Sequence, residues 1–139
     1  MSTIRTKGLQ VFREIMGAQR AQTLGAAAES KDFGADVAGL ALDFAFGSVW
    51  ARDGLDRKQR SLLTIGMLIA SHQTLELKNH IRIGVANGLT VRELDEVLLH
   101  AVPYVGFPTV ASATTAVVEV LRELGLDTQT KTAQERGLL

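Results

Sequence analysis

The spacing of apolar residues is the feature that most restricts the fold of this chain. Apolar side chains recur three and four positions apart along almost the whole sequence, as on an amphipathic α-helix, and no segment alternates like a strand. Only two prolines, Pro103 and Pro108, interrupt the pattern. The sequence therefore predicts an all-α protein built as a helical bundle of about six helices.

The limits of the predicted helices follow from glycines and from capping signals. The helices cover about 6–17, 36–50, 57–71, 74–87, 90–103 and 108–125, and the alanine-rich segment 18–31 is either a further helix or an ordered loop. In the second helix Val37, Leu40 and Phe44 form an apolar stripe. Thr90 and Glu93 predict a capping box. With 139 residues we expect one domain over 1–139, with a core at about 34–125 and a polar tail at 126–139.

The predicted helix 57–71 has almost no polar face. Leucines, isoleucines and a methionine occupy all of its sides between Leu62 and Ile69. Such a helix must be buried on all sides, which is difficult in one small domain. We therefore expect another subunit to cover part of it, in a homo-oligomer.

Composition argues against several partners and chemistries. Lys plus Arg and Asp plus Glu number 15 each, without a run of one sign, so we expect neither nucleic-acid nor membrane binding. The N-terminal residues lack an apolar signal region, which indicates a cytoplasmic protein. The absence of cysteine excludes thiol redox chemistry, and the three histidines lack a metal-binding spacing, so no metal site is expected.

One titratable pair stands out on the predicted helix 74–87. Winding this helix places Leu77, Ile81 and Gly84 on a core stripe, with His80 at its border and Glu76 one turn earlier on the same flank. The carboxylate can fix the imidazole tautomer and raise its pKa, leaving the ring to exchange a proton with a ligand. The alternatives are a surface ion pair or a border histidine with a structural role.

Two segments carry a family resemblance. FGSVWARDGLDRKQRSLLTIGMLIA, residues 46–70, and HIRIGVANGLTVRELDEVLLHAVPYVGFP, residues 80–108, resemble the carboxymuconolactone decarboxylase family in its short single-domain form. The resemblance implies an alkylhydroperoxidase-like fold, a homo-oligomer that is a trimer or hexamer, and no cofactor. It also implies decarboxylation of a small carboxylated lactone in aromatic-compound catabolism.

The resemblance also implies roles for individual residues. His80 is the expected proton donor or oxyanion partner, and Glu76 is its orienter. Arg52 and Arg60 are candidate clamps for the carboxylate that the substrate retains, although Arg60 is equally suited to an ion pair at an interface. Asp53, where the family commonly has proline, places a negative charge beside the first of these arginines and leaves the exact substrate open.

Two aromatic side chains are further candidates for the substrate site. Trp50 and Tyr104 are predicted either to line the pocket or to occupy core or interface positions. For His100, which shares a helix flank with Tyr104, a structural role is favoured.

Three other functions compete with the decarboxylase. A related enzyme acting on lactones or enol acids would use the same residues, whereas a non-catalytic binding module would keep the fold without the chemistry. The cysteine peroxidases of the same superfamily are excluded, because Gln73 and Glu76 stand where they carry the cysteines of C-x-x-C-x-x-x-H.

Overall fold

The computed structural model describes residues 2–139, and this range is helical without any strand, which confirms the all-α prediction. The described range contains seven α-helices and one π-helix, here called π1. They are α1 Thr3–Met16, α2 Ala18–Glu29, α3 Ala35–Leu40, π1 Ala41–Trp50, α4 Arg57–Ala70, α5 Thr74–Ala86, α6 Val91–Val105 and α7 Phe107–Glu123. The count of about six was too low because segment 18–29 is a helix and segment 36–50 divides into α3 and π1.

Backbone packing divides the chain into two compact units. The first ends at Arg57 and holds α1 to π1, and the second runs from Lys58 to Leu139 and holds nearly all of α4 and all of α5 to α7. The expectation of one domain over 1–139 stays a prediction.

In the first unit α1 packs directly on π1 through a glycine. A Cβ atom on Gly8 would lie 2.0 Å from the carbonyl oxygen of Leu42, so only glycine permits this approach. Nη2 of Arg5 donates to Oδ2 of Asp43 at 2.8 Å, and its Nη1 donates to Oε1 of Glu29 at 2.8 Å. One arginine on α1 therefore ties both α2 and π1 to that helix.

The helix π1 has a wider turn than an α-helix, and its side chains follow that register. The hydroxyl of Ser48 donates to the carbonyl of Asp43, five residues earlier, at 2.8 Å. Gly47 is buried against α1, where a Cβ atom would lie 2.6 Å from the carbonyl oxygen of Ile4. The ring of Phe46 meets that of Phe12 on α1 edge to face, with 4.9 Å between centroids.

The apolar stripe predicted on helix 36–50 faces solvent in the described chain. Val37, Leu40 and Phe44 are 71%, 66% and 66% exposed, while Gly39 and Leu42 fill the buried side. Periodicity identifies an apolar face, but packing decides whether the chain itself covers it.

In the second unit the core forms where α5, α6 and α7 meet one face of α4. Its largest fully buried side chains are Ile65, Leu77, Ile81, Leu94 and Val120. The opposite face of α4 stays open, since Leu63 and Met67 are each 56% exposed. The expectation that a single chain cannot bury all sides of this helix agrees with these exposures.

The ends of α6 agree only in part with the sequence. Thr90 and Glu93 form the predicted capping box, with both hydrogen bonds present. Pro103, where we expected the helix to end, lies inside α6, which continues to Val105. Gly106 ends it with a φ of 86°, a conformation that suits glycine.

The polar segment 126–139 folds back beside α7 instead of extending as a tail. Nη2 of Arg122 donates to the carbonyl of Thr130 at 2.9 Å and to Oε1 of Glu135 at 2.8 Å. The backbone N–H of Thr132, a buried residue, also donates to this carboxylate. Arg122 thus links the C-terminal segment to α7.

Candidate active site

The helix α5 presents the predicted histidine at the edge of its buried face. Leu77, Ile81 and Gly84 are buried as predicted, while Val85 and Gly88, which the same winding placed on the core stripe, are half-buried and exposed. His80 beside this stripe is half-buried, and Glu76 one turn earlier is exposed. The imidazole therefore lies at the border between core and surface, with a carboxylate on its outer side.

The electrostatics of His80 combine two opposing influences. Burial lowers the pKa of the imidazole below its ordinary value of 6.5, because the charged form is penalised away from water, and the negative charge of Glu76 partly opposes this. Together the two influences lower the pKa of His80. Glu76 raises this pKa as we expected, but burial has the larger effect, so the expected rise in the pKa of His80 was wrong. Burial therefore favours the neutral form of His80 in the free protein.

Contacts to two neighbouring helices hold the backbone around His80. The guanidinium of Arg82 forms a bidentate pair with Glu123 of α7, with N···O distances of 2.6 and 3.0 Å. The amide of Asn87, directly after α5, donates to the fully buried hydroxyl of Ser61 on α4 at 2.9 Å. A helix fixed at both of these points is a rigid support for a catalytic side chain.

Arg60 lies next to this second contact. It is half-buried in α4 and directly precedes Ser61, whose bond to Asn87 places this part of α4 by the C-terminal end of α5. His80 lies two helical turns before that end. A half-buried guanidinium offers a charged fork for a carboxylate.

Trp50 and Arg52 belong to the first unit. Trp50 is half-buried at the end of π1, with its ring 6.2 Å from that of Phe46. Arg52 is exposed, and its backbone N–H donates to the carbonyl of Val49 at 3.1 Å. Arg52 thus follows the end of π1 by two residues and is tied to it by this hydrogen bond.

Tyr104 lies in a groove between α4 and α6 that is separate from the pair on α5. The groove has a volume of about 710 Å³, and its lining includes Tyr104 and His100, but not Glu76, His80 or Arg60. The rings of Tyr104 and His100 lie 5.3 Å apart. The sequence favoured a structural role for His100, although its spacing of four residues from Tyr104 already placed the two on one flank.

Residues 2–139 contain no group of three or more histidine, aspartate or glutamate side chains positioned to hold a metal ion. None of the helices described is long and apolar enough to cross a membrane.

Comparison with known proteins gives consistent matches. A sequence model of the carboxymuconolactone decarboxylase family matches residues 35–119. A 4-carboxymuconolactone decarboxylase from Acinetobacter baylyi is 37% identical over 120 residues, 86% of this chain and 88% of its own length. A nitrosuccinic acid decarboxylase from Metarhizium robertsii is 35% identical over 118 residues, 85% of this chain and 81% of its own length.

These relatives carry decarboxylase names and cover most of the chain, which supports an enzyme of the carboxy-lyase class. The matched region contains all six residues that the sequence proposed for the site, from Trp50 to Tyr104. The chain belongs to the carboxymuconolactone decarboxylase family.

Proposed function

We propose that this protein is a cofactor-independent decarboxylase of a small dicarboxylic acid, of the carboxylated lactone type. The observation that carries the proposal is the half-buried imidazole of His80, coupled to the carboxylate of Glu76 on a helix held at two points. This arrangement supplies a proton-transfer group at the edge of a core, in a chain whose relatives are decarboxylases.

The names of the two relatives define a common substrate chemistry. In 4-carboxymuconolactone the departing carboxylate leaves an electron pair that delocalises through the ring double bond into the lactone carbonyl. In nitrosuccinic acid a nitro group on the same carbon accepts the pair. Both molecules therefore carry their own electron sink, and both retain a second carboxylate after CO2 leaves. A protein acting on such a substrate has to bind that carboxylate, stabilise the charge that develops and deliver a proton.

The reaction proposed here balances in two steps. Cleavage of the C–C bond releases CO2 and moves the bonding pair into the sink, and a proton then adds to carbon or to the conjugated oxygen system. His80 delivers this proton, and Glu76 orients its ring. Burial favours the neutral form of His80 in the free protein, whereas a dianionic substrate beside it favours the imidazolium, so substrate binding promotes uptake of the proton.

Arg52 and Arg60 are proposed to bind the retained carboxylate. The half-buried position of Arg60 on α4 supports this role for it, and exposure to solvent after π1 supports the same role for Arg52. Trp50 and Tyr104 are proposed to line the substrate site, and a position between copies of the chain is the alternative for both. The exposed apolar face of α4 supports a homo-oligomer, for which the family resemblance favours a trimer or hexamer.

A role in the cytoplasmic catabolism of aromatic compounds follows if the substrate is the lactone. The identity to the nitrosuccinic acid decarboxylase is nearly as high as to the lactone enzyme, which makes a nitro acid the second candidate substrate. A related reaction on a lactone or enol acid, or binding without turnover, completes the alternatives.

The deciding experiment measures CO2 release from freshly generated 4-carboxymuconolactone and from nitrosuccinic acid, side by side. His80→Gln removes the proton donor, and His72→Gln serves as the matched control because His72 is an exposed histidine outside the helices. We expect turnover of one substrate by the native protein and the control, and a loss of at least a hundredfold in kcat for His80→Gln. Equal kcat in both variants would remove His80 from the chemistry.

The carboxylate clamps are tested separately through KM. Arg52→Lys and Arg60→Lys keep the charge and lose the bidentate fork, so we expect a higher KM with a smaller change in kcat. An unchanged KM for either variant would exclude that residue from the clamp.

A further inference from the structure

The buried face of α4 contains one polar residue. The buried residues of this helix are Ser61, Ile65 and Ile69, which are spaced by four positions and therefore form one stripe. Ser61 is 0% exposed. An alanine at this position would have a higher helix propensity and no polar atom to satisfy. The stability of α4 alone therefore does not account for this serine, which points to a role for its hydroxyl outside the helix.

The hydroxyl connects α4 to the end of α5. Nδ2 of Asn87 donates to Oγ of Ser61 at 2.9 Å. One turn away, Cδ1 of Ile65 lies 3.2 Å from the position that a Cβ atom on Gly84 would take. Ile65 follows Ser61 on α4, whereas Gly84 precedes Asn87 on α5, so the two helices run antiparallel. One of these contacts is a directional hydrogen bond and the other is an apolar close approach.

A turn closes the other end of the helix pair formed by α4 and α5. The backbone N–H of His72 donates to the carbonyl of Ile69 at 3.2 Å, and that of Gln73 donates to the carbonyl of Leu68 at 3.1 Å. Apolar contacts between the helices have no preferred direction, so they resist a small slide only weakly. A hydrogen bond tolerates a change of only about half an ångström in length. The bond between Ser61 and Asn87 therefore fixes the open end of the pair, opposite the turn.

Two of the proposed site residues lie on this helix pair. Arg60 directly precedes Ser61 at the open end, and its carbonyl also accepts a hydrogen bond from the hydroxyl of Thr64 at 2.8 Å. His80 lies two helical turns, or about 10 Å, before Asn87 on α5. Catalytic groups have to be held to within about 0.5 Å, and a misplacement of about 1 Å can cost a hundredfold in rate. A slide large enough to break the bond is of this size.

We infer that the hydrogen bond between Ser61 and Asn87 sets the separation between the carboxylate clamp Arg60 and the proton donor His80. Ser61 and Asn87 are then positioning residues of the candidate site. This inference rests on the proposed function and adds a substrate property to it. The distance between the carboxylate that the substrate retains and the carbon that gains the proton has to match the separation of clamp and donor.

The two candidate substrates differ in this distance. In nitrosuccinic acid one CH2 group separates the retained carboxylate from the carbon that gains the proton. In the lactone the carbon next to the ring carbonyl can take the proton, and further ring carbons then lie between the two groups. A fixed separation on the protein therefore selects dicarboxylates by length.

The first test removes the hydrogen bond from either side. Ser61→Ala deletes the acceptor and Asn87→Leu deletes the donor at similar volume, whereas the carboxylate of Asn87→Asp can accept a bond from the hydroxyl of Ser61. Thr132→Val is the control, because it removes a buried hydroxyl from the C-terminal segment. Turnover is referred to the folded fraction measured by circular dichroism, so that a loss of stability alone does not lower it.

We expect kcat to fall about tenfold or more in Ser61→Ala and in Asn87→Leu, with a smaller change in KM, because the clamp still binds while the reacting carbon is misplaced. The double variant should be no slower than the slower single variant, since both changes remove the same bond. Asn87→Asp should be faster than Asn87→Leu, and Thr132→Val should match the native protein.

The second test measures binding without reaction. Succinate, glutarate and adipate are titrated while the ring signal of His80 is followed by NMR, and His80→Gln identifies that signal among the three histidines. We expect the native protein to bind one length about fivefold or more tightly than the other two. Ser61→Ala should reduce this preference, because the separation is no longer fixed.

The two tests separate this inference from the proposed reaction. Native turnover with unchanged kcat in both single variants would overturn the inference and leave the reaction standing. A length preference that is lost in Ser61→Ala, without turnover of either candidate substrate, would support the inference and refute the reaction. Additive effects in the double variant, a native length preference in Ser61→Ala, or no binding of any of the three dicarboxylates would each overturn the inference.

Discussion

Replacing Gly8 by alanine tests the packing of α1 on π1. The added Cβ would lie 2.0 Å from the carbonyl oxygen of Leu42 and 2.9 Å from its carbonyl carbon, both of them backbone atoms. No rotamer change relieves this contact, so the two helices have to separate by about 1 Å or more, at the site where Leu42 is fully buried. Overpacking of this kind costs about 1–3 kcal/mol.

The substitution also brings a gain that has to be subtracted. Alanine exceeds glycine in helix propensity by about 1 kcal/mol. The overpacking cost should reach about 3 kcal/mol, the upper end of its range, because the added Cβ meets backbone atoms that cannot rotate away. The expected net effect of Gly8→Ala is a loss of about 2 kcal/mol in the free energy of unfolding, measured by urea denaturation.

Gly84→Ala is the matched control within a helix. Its Cβ would meet the terminal methyl groups of Leu89 at 2.7 Å and Ile65 at 3.2 Å, and the ends of side chains can move. We expect this variant to lose less than about 1 kcal/mol, because helix propensity offsets a small rearrangement. If Gly8→Ala were as stable as Gly84→Ala, the close approach of α1 to π1 would be refuted.

Three further predictions concern single side chains. Glu76→Gln removes the charge that raises the pKa of His80, so this pKa should fall further in an NMR titration, and a rise would contradict the coupling. The pKa of Glu135 is about 2, held below its ordinary 4.5 mainly by the hydrogen bond from Arg122. The resulting stability is present above pH 4.5 and is lost as the pH falls towards 2, so Glu135→Gln should flatten the acid side of a profile of Tm against pH, and an unchanged slope would argue against this contact. His72 has a φ of 58°, so His72→Gly should stabilise the fold by about 0.5–1 kcal/mol in urea denaturation, and a loss would show that this side chain contributes more than the strain costs.

The sequence predicted best those features that local chemistry controls. The capping box of Thr90 and Glu93, the border position of His80 and the buried stripe beneath it all depend on spacing within one helix. The sequence did not predict that the pKa of His80 is lowered. Burial of the ring depends on neighbours distant in sequence, and its effect on this pKa is larger than that of the charge on Glu76.

Features that depend on tertiary contacts escaped prediction. The stripe of Val37, Leu40 and Phe44 has helical spacing, but spacing alone does not show whether a face is covered by its own chain. The fold-back of 126–139 depends on Arg122, which is indistinguishable in sequence from any arginine near a helix end. The roles of Arg52 and Arg60 depend on a bound substrate and stay predictions.

The wide turn of π1 has a consequence for reading the natural variation of this segment. A π turn holds about one residue more than an α turn, so the loss of one residue between positions 41 and 50 can be absorbed by closing a turn of π1 in α register. Residues beyond the deletion would then keep roughly their direction around the helix axis, whereas the same deletion in an α-helix would turn them by about 100°. A one-residue gap in this segment of an alignment therefore records a local change of helix type, and the residues beyond the gap stay comparable between homologues.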